Sequence, residues 1–575
     1  MTEMTLTSAD VAPNRAAEPD DRAWWRDAVI YEVYVRSFAD GNGDGIGDLA
    51  GVRSRLPYLV DLGVDALWFT PWYRSPLADG GYDVADYRSI DPAFGTLEEA
   101  ERLIADAAAV GIRTIVDIVP NHVSDQHPWF QAALASAPGS VERARFWFHP
   151  GRGPHGDEIP TAWPSNFSGP SWTRTTNPDG TPGEWYLHLF SASQPDLNWD
   201  HPDVRAEHEA ILRFWFDRGA AGIRIDSAAL LVKDPDLPEI PAAPEPGEHP
   251  NTDRDDLHEI YRGWRAVADS YPGSRILVGE LWIPDVERFT KYLRPDELHT
   301  AFNFDFMTRP WQAAGLRASI DATLAANAPV GAPATWLISN HDVTRPVTRF
   351  GRADSSFAFA TKRHGTPTDL ALGQRRARAA ALLCAALPGS LYIYQGEELG
   401  LEEVHDLPQD QLEDPMYFRS GGVDPGRDGC RVPLPWAGDV RPFGFSPAGA
   451  SREPWLRQPD GWAARTVEAQ RADPGSMLNL YRSALRLRRS EPDLGDGTMD
   501  WLDGNADVLA FTRGEHFLAV TNLSAEAISL PTDGRLLLAS ADLVDGRLPP
   551  DASAWIQLEP DSLARSSGWQ TREAE

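Results

Sequence analysis

The chain carries only two cysteines in 575 residues, Cys384 in ALLCAALPG and Cys430 in GRDGCR. Two thiols over that length build no disulfide framework and suit a reducing compartment. No run of 18 or more apolar residues occurs, so no segment reads as a membrane-spanning helix. Positive charge is scarce: 53 Lys and Arg stand against 85 Asp and Glu, a net charge of −32. Nucleic acids and anionic membranes require a basic surface, and this balance argues against both as partners while suiting a small neutral substrate. The first residues, MTEMTLTSADVAPNRAAEPDD (1–21), lack the positive start and apolar stretch of a secretory signal. They read as a disordered leader, and the expected location is cytoplasmic.

What the chain does have is a series of apolar runs that stop at polar residues. A length of 575 residues exceeds one ordinary core, so a large domain with insertions plus at least one more domain is expected. Eight strand-like runs occur: AVIYEVYV (28–35), ALWFT (66–70), TIVDIV (114–119), GIRID (222–226), ILVGE (276–280), TAFNF (300–304), TWLISN (335–340) and LYIYQG (391–396). Helical stretches separate most of them; TLEEAERLIADAAAVG (96–111) shows helical spacing with acidic residues at its start. Apolar strands alternating with helices imply a parallel sheet, and eight units imply a (β/α)8 TIM barrel. Residues 22–123 and 201–497 are assigned to it. Residues 124–200, rich in Pro, Gly, Trp and His, read as an inserted loop-rich domain after the third strand. Residues 233–256, Pro-rich and acidic, read as a surface loop. From 498 to 575 the pattern changes to short alternating strands, which predicts a C-terminal antiparallel β-sandwich domain.

Three of the runs lead into acids: Asp226 two residues after Arg224, Glu280, and, in the longer segment TWLISNHDV (335–343), Asp342 beside His341. Burying charge is costly unless it is paired or used, so acids repeated at strand ends point to one polar pocket. A carboxylate pair with a third anion is what cleavage of a glycosidic bond requires. The plain alternatives are salt bridges: Asp226 with Arg224, which share a face at i and i+2, or a strand-end ion pair for Glu280. An adjacent Arg keeps a carboxylate ionised, as a nucleophile must be, so the two readings of Asp226 are compatible. For Glu280 to carry a proton, burial or a neighbouring anion such as Asp342 must raise its pKa. DIVPNHVS (117–124) adds Asp117, Asn121 and His122, read as pocket lining. DGNGDGIGD (40–48) spaces Asp40, Asn42, Asp44 and Asp48 like oxygen ligands of a calcium loop, or else forms a plain acidic turn.

Taken in order, IYEVYVRSFAD, GDLAGV, LGVDALWFTP, GGYDVADY, DIVPNH, QPDLNW, GIRID, GEL, NHD and YQGEELG resemble the α-amylase family of glycoside hydrolases over roughly residues 22–575. The calcium-like loop after the first strand, ADGGYDVADY and GRDGCRVPLPW (426–436) are most similar to its α-glucosidase and oligo-1,6-glucosidase branch. The resemblance implies Asp226 as nucleophile, Glu280 as general acid/base and Asp342 as the acid that holds the sugar hydroxyls. It implies His122, Arg224 and His341 around the cleaved glucose, Asp79 and Tyr82 on the non-reducing end, and Arg431 as a further blocker of that end. Phe167 and Phe190 are implied as pocket walls from the inserted domain. A structural Ca²⁺ or Mg²⁺ is implied at Asp40, Asn42, Asp44, Ile46 and Asp48, and no organic cofactor.

The expected activity is a retaining exo-α-glucosidase acting on maltose and short neutral oligosaccharides, as a monomer or homodimer. Ser227, directly after the nucleophile where a bulky Val accompanies α-1,6 cleavage, favours α-1,4. Two departures stand out: Ile223 replaces the usual Phe, and SAALLVK follows Asp226 where many relatives carry a Lys-His pair on the acceptor side. A transglucosylase or isomerase using the same acids is the rival expectation. A non-catalytic transporter accessory chain is a remote one, because all three acids are kept.

Overall fold

A computed structural model describes residues 23–177, 179–531 and 534–558. The leader expected at 1–21 lies outside the described residues, as does the end of the C-terminal stretch. Eight parallel strands form the central sheet: β1 (Val29–Val33), β2 (Ala66–Phe69), β3 (Arg113–Ile118), β4 (Gly222–Ile225), β5 (Ile276–Gly279), β6 (Thr300–Ala301), β7 (Thr335–Trp336) and β8 (Ser390–Tyr394). Their hydrogen-bonded order is β6-β5-β4-β3-β2-β1-β8-β7, and each falls on one of the eight apolar runs, β3 and β8 starting one residue earlier. At the seam between β6 and β7 the Thr300 and Thr335 hydroxyls hydrogen-bond to each other. This is the (β/α)8 barrel.

Strand periodicity explains what faces where. Ile30, Ala66, Trp68, Ile115, Ile276, Val278 and Tyr392 pack together inside the barrel, while alternate residues such as Tyr31, Leu67, Val116 and Leu277 join the layer under the helices. Because inward residues recur every second position, Glu32 follows Ile30, Asp117 follows Ile115, and Glu280 follows Val278 on the inner face. On β4 the inward series is Gly222, Arg224, Asp226. A side chain at Gly222 would put its Cβ 2.5 Å from Ile276 Cγ1, so only glycine lets β4 sit this close to β5 below the charged layer.

The surrounding helices follow their sequence signals. Thr96 and Glu99 cap Leu97–Ala109 reciprocally, with Glu98 and Glu99 in the first turn favoured by the helix dipole. The stretch 49–63 forms two helices, Leu49–Ser54 and Leu56–Leu62, parting at Arg55 just before Pro57.

Between β3 and β4 the segment 124–200 holds structure that its composition concealed. Phe148–His149, Trp172–Thr176 and Pro182–Leu187 form a three-stranded antiparallel sheet over a small core of Trp163, Trp172, Leu187 and Leu189. After residue 498, five antiparallel strands and a separate two-stranded pair (Ile528–Ser529 with Arg547–Leu548) follow. Val508–Arg513 is buried along its whole length because both faces are covered. Leu509, Phe511 and Trp555 face the barrel, where the Trp555 indole donates to Leu382 O at 3.1 Å, while Val508, Ala510, Leu518 and Ile556 pack under the two-stranded pair. No helix among the described residues is long and apolar enough to cross a membrane.

Candidate active site

At the C-terminal ends of β3, β4 and β5 one guanidinium meets three carboxyl groups. Arg224 is 1% exposed. Its Nη1 donates to Asp117 at 2.9 Å and to Asp226 Oδ1 at 2.8 Å, and its Nη2 donates to Glu280 Oε2 at 2.7 Å. The register places Asp117 directly across from Arg224. Two like charges about 4 Å apart repel by roughly 4 kcal/mol at an effective dielectric near 20, or about three pKa units. One cation cannot offset three such anions, so protons make up the difference.

The three acids do not share the burden equally. Burial pushes Glu280 up to about 8; Arg224 opposes this, while Asp226 and Asp342 add to it. Burial raises Asp226 only to about 6, with Arg224 and hydrogen bonds from Ser227 and Glu280 pulling it down. Burial likewise raises Asp117 to about 7 against Arg224. At neutral pH the arrangement therefore keeps a proton on Glu280 and the charge on Asp226. Glu280 Oε2 is taken up by Arg224 and by the Ser227 amide at 2.9 Å. Its Oε1 accepts from the Trp282 indole at 3.2 Å. Ser227 sits in the left-handed region (φ 47°) and its hydroxyl donates to Asp226 Oδ2 at 2.8 Å.

Asp342, at the end of the run containing β7, is held differently. Arg427 and Arg431 donate to its Oδ1 at 3.2 and 3.0 Å. Burial alone would raise its carboxyl, yet its surroundings hold it well below the usual carboxylate range. The adjoining His341 ring is the largest lowering influence and the Arg427 and Arg431 guanidiniums follow; because burial disfavours the charged form of His341, the two guanidiniums are the lasting cations beside Asp342. His341 Nδ1 is hydrogen-bonded to Glu32, whose carboxyl burial and Asp342 raise. That leaves Nε2 facing Asp342 Oδ2 at 3.4 Å. Tyr82 stacks on His341 with ring centroids 5.2 Å apart.

Asp226, Ser227, Glu280, Asp342, Asp79, Tyr82, His122, Phe167, Phe190 and His341 all line one cavity of about 480 Å³. Arg224 and Arg431 do not line it. Both are buried beneath the wall and act through the acids they hold. The guanidinium that does close the polar end is Arg427, donating to Asp79 at 2.5 Å and to Asp414 at 2.6 Å, with Phe167 5.1 Å from it. Gln194 donates to the other Asp79 oxygen at 2.9 Å. Burial holds His122 neutral, its pKa lowered to about 3. Asn121 Nδ2 lies 3.1 Å from its Nδ1, and its Nε2 lies 3.1 Å from Tyr82 O and 3.0 Å from Gln194 Nε2.

Sequence reasoning passed over Glu32, Gln194, Trp282, Arg427 and Lys233. Glu32 had a signal, as the one acid inside an otherwise apolar strand. Lys233 ends SAALLVK, and it turns away from the cavity. Its ammonium, buried, meets Asp196 at 2.9 Å, Asn121 Oδ1 at 2.6 Å and Leu230 O at 2.7 Å. It thereby ties the stretch after Asp226 to the end of the inserted segment and orients the Asn121 amide against His122.

The calcium-like loop is knit by its own amides. Asp40 accepts from Asn42, Gly43 and Gly45, Asn42 from Asp44, Asp44 from Ile46, and Asp48 from Gly41 and Gly51. Among the described residues no three His, Cys, Asp or Glu side chains converge to hold a metal. The donors are nonetheless all oxygen, as a hard cation prefers, and an oxygen accepting one N–H keeps a second lone pair. Asp48 is raised by burial and by the nearby Asp40 and Asp44 charges, a repulsion that a cation would relieve.

Lys233→Met leaves the Asp196 carboxylate buried without a cation, and a loss of about 3–5 kcal/mol is expected in urea unfolding. Adding Asp196→Asn restores part of it; an unchanged midpoint in the single variant would show that the pair holds nothing.

The pattern described as "Alpha amylase, catalytic domain" matches residues 32–497. A probable alpha-glucosidase of Rhizobium meliloti (strain 1021) is 36% identical over 534 residues, covering 89% of this chain and 91% of that protein. An oligo-1,6-glucosidase of Heyndrickxia coagulans is 35% identical over 565 residues, covering 90% and 95%. A mutant isomaltulose synthase of Erwinia rhapontici NX5, crystallised with its natural substrate sucrose, superposes with a TM-score of 0.80 at 30% identity, covering 93% of this chain and 99% of that one. An eight-stranded barrel with its acids gathered at the strand ends, matched over nearly its whole length by such proteins, belongs to the α-amylase family, family 13 of the glycoside hydrolases, within its α-glucosidase branch.

Proposed function

We propose that the chain is a retaining, exo-acting α-glucosidase that releases glucose from maltose and short oligosaccharides. The observation that carries this reading is the shared Arg224. It holds Asp226 and Glu280 on one guanidinium, as the short separation of a double-displacement pair requires, while their surroundings leave one charged and the other protonated. Asp226 attacks the anomeric carbon as Glu280 gives its proton to the departing oxygen. Glu280 then takes a proton from water, which displaces the Asp226 ester and restores the original configuration. Asp342, held ionised by Arg427 and Arg431, accepts from the sugar hydroxyls. The Arg427–Asp79 bridge closes the polar end, which supports cleavage of one unit at a time.

The α-1,4 preference rests on Ser227, whose small side chain bonds to Asp226 and leaves room beside it. A second reading, transfer or isomerisation by the same acids, is favoured by the likeness to an isomaltulose synthase. Chromatography over maltose, isomaltose, sucrose, trehalose and maltotriose separates the two. Glucose from maltose, faster than from isomaltose, is expected; an isomaltose preference contradicts the linkage, and isomerised or glucosylated products as the main outcome favour the rival.

Activity requires Asp226 ionised and Glu280 protonated. Rate is lost below about 6 as Asp226 takes a proton, and above about 8 as Glu280 loses one, so kcat/KM is bell-shaped between those limits. Asp342→Asn removes an anion that raises Glu280, so the basic limb moves to lower pH as the rate falls; an unmoved limb would break the link.

We further propose a structural Ca²⁺ or Mg²⁺ on the Asp40, Asn42, Asp44 and Asp48 side chains and the Ile46 carbonyl. A chelator should lower the melting temperature and added Ca²⁺ restore it; identical melts with and without chelator would remove the ion.

A further inference from the structure

Glu32, the acid of an otherwise apolar strand, is buried inside the barrel with no substrate to meet. The guanidiniums nearby are spent on other carboxyl groups: Arg224 on Asp117, Asp226 and Glu280, Arg427 on Asp79, Asp342 and Asp414, and Arg431 on Asp342. What Glu32 does meet is an imidazole. Its Oε1 is hydrogen-bonded to His341 Nδ1 and also accepts from the His341 amide at 3.4 Å. The His341 carbonyl in turn accepts from Arg431 Nε at 3.0 Å and from the Cys430 thiol at 3.2 Å. Tyr34 and Tyr82 stack on the ring with centroids 6.2 and 5.2 Å away, and Trp68 meets it edge-on at 5.8 Å. A ring pinned on every side does not turn over. The freedom it keeps is which nitrogen carries the hydrogen.

Two arrangements satisfy the contact with Glu32. An ionised Glu32 accepts from Nδ1–H; a neutral ring then turns a bare Nε2 toward Asp342 Oδ2, 3.4 Å away, and two acceptors face each other. A protonated Glu32 instead donates to Nδ1, and the ring's hydrogen sits on Nε2, facing the Asp342 carboxylate. The charged and titratable groups around Glu32 are Asp117 from β3, Arg224 from β4, His341 and Asp342 after β7, and Tyr394 from β8. Burial and the Asp342 and Asp117 charges favour the protonated acid, with Arg224 opposing them. Burial also disfavours a ring protonated on both nitrogens. The difference matters in the cavity, which His341 and Asp342 both line. A sugar hydroxyl has one hydrogen to give, and Asp342 takes it; its oxygen then needs a donor, which Nε2–H supplies.

We infer that Glu32 is a positioning residue: as a neutral acid it donates to His341 Nδ1 and so keeps the ring's hydrogen on Nε2, ready for a sugar hydroxyl shared with Asp342. This rests on the glucosidase reading and adds a residue to it that touches no substrate. Glutamine keeps an N–H to donate at this position and carries no charge in either arrangement. Leucine keeps the bulk and offers neither donor nor acceptor, so Nδ1 is left buried without a partner.

The test reads the ring directly. In full-length enzyme labelled with ¹⁵N-histidine, with the His341 signals identified by their loss in His341→Asn, Nε2 is expected to be protonated and Nδ1 bare at pH 7, in the parent chain and in Glu32→Gln alike. In turnover of maltose, Glu32→Gln should keep kcat/KM within about threefold, and Glu32→Leu should lose about thirtyfold. A hydrogen on Nδ1, or on both nitrogens, would overturn the inference whatever the activities. So would a Glu32→Gln loss as large as that of Glu32→Leu, as expected where Glu32 acts as an anion, or a Glu32→Leu enzyme with undiminished kcat/KM. Should Glu32→Leu fail to fold, the spectra of the parent and of Glu32→Gln still decide. A parent enzyme that releases no glucose from maltose removes the glucosidase reading instead, and the NMR result stands apart from it.

Discussion

A single buried guanidinium organises this molecule's chemistry. Arg224 carries one positive charge and touches three carboxyl groups, so charge balance alone forces protons into the site. Their distribution is a property of the surroundings: Asp226 has help from the Ser227 hydroxyl, whereas Glu280 sits with Asp226 and Asp342 both raising it. The barrel supplies the geometry. Because β3, β4 and β5 are adjacent and parallel, their inward positions near the C-terminal ends fall at one height, and Gly222 removes the one side chain that would hold β4 off β5. Apolar inward residues such as Ile115, Ile276 and Val278 lie below, where they exclude water and make every charge above them count for more.

The two ends of the cavity follow opposite rules. At the Asp79 end every charge is answered: Arg427 spans Asp79, Asp342 and Asp414. Such a network holds its atoms at fixed positions, which suits recognition of hydroxyl groups whose directions are set by the sugar. At the Trp282 end the wall is apolar, built from Trp282 against Phe304 and Phe359.

Much of this was legible in the sequence because the signals are local. An apolar run that ends in an acid reports both a strand and its pocket end, and each of the eight runs marks one of the eight strands. Most of the residues that escaped notice have partners far along the chain: Glu32 meets His341, Arg427 meets Asp79, and Lys233 meets Asp196. No local pattern announces such pairings. SAALLVK shows the limit well. Its departure at the acceptor side is visible as Ala229 and Leu230 on the cavity wall, but its lysine belongs to an interior ion pair that only the fold brings together. The small sheet within 124–200 was hidden for a similar reason, its short strands lying among Pro and Gly with a core of scattered Trp residues.

The central claim is that Arg224 gathers two carboxyl groups which their other neighbours divide into a charged nucleophile and a protonated acid. It is tested most directly by trapping the intermediate with a 5-fluoro-α-glucosyl fluoride and locating the label by peptide mass spectrometry. The account predicts a glucosyl ester on Asp226. A label on Glu280, or rapid turnover that releases β-configured sugar with no labelled peptide, would contradict it.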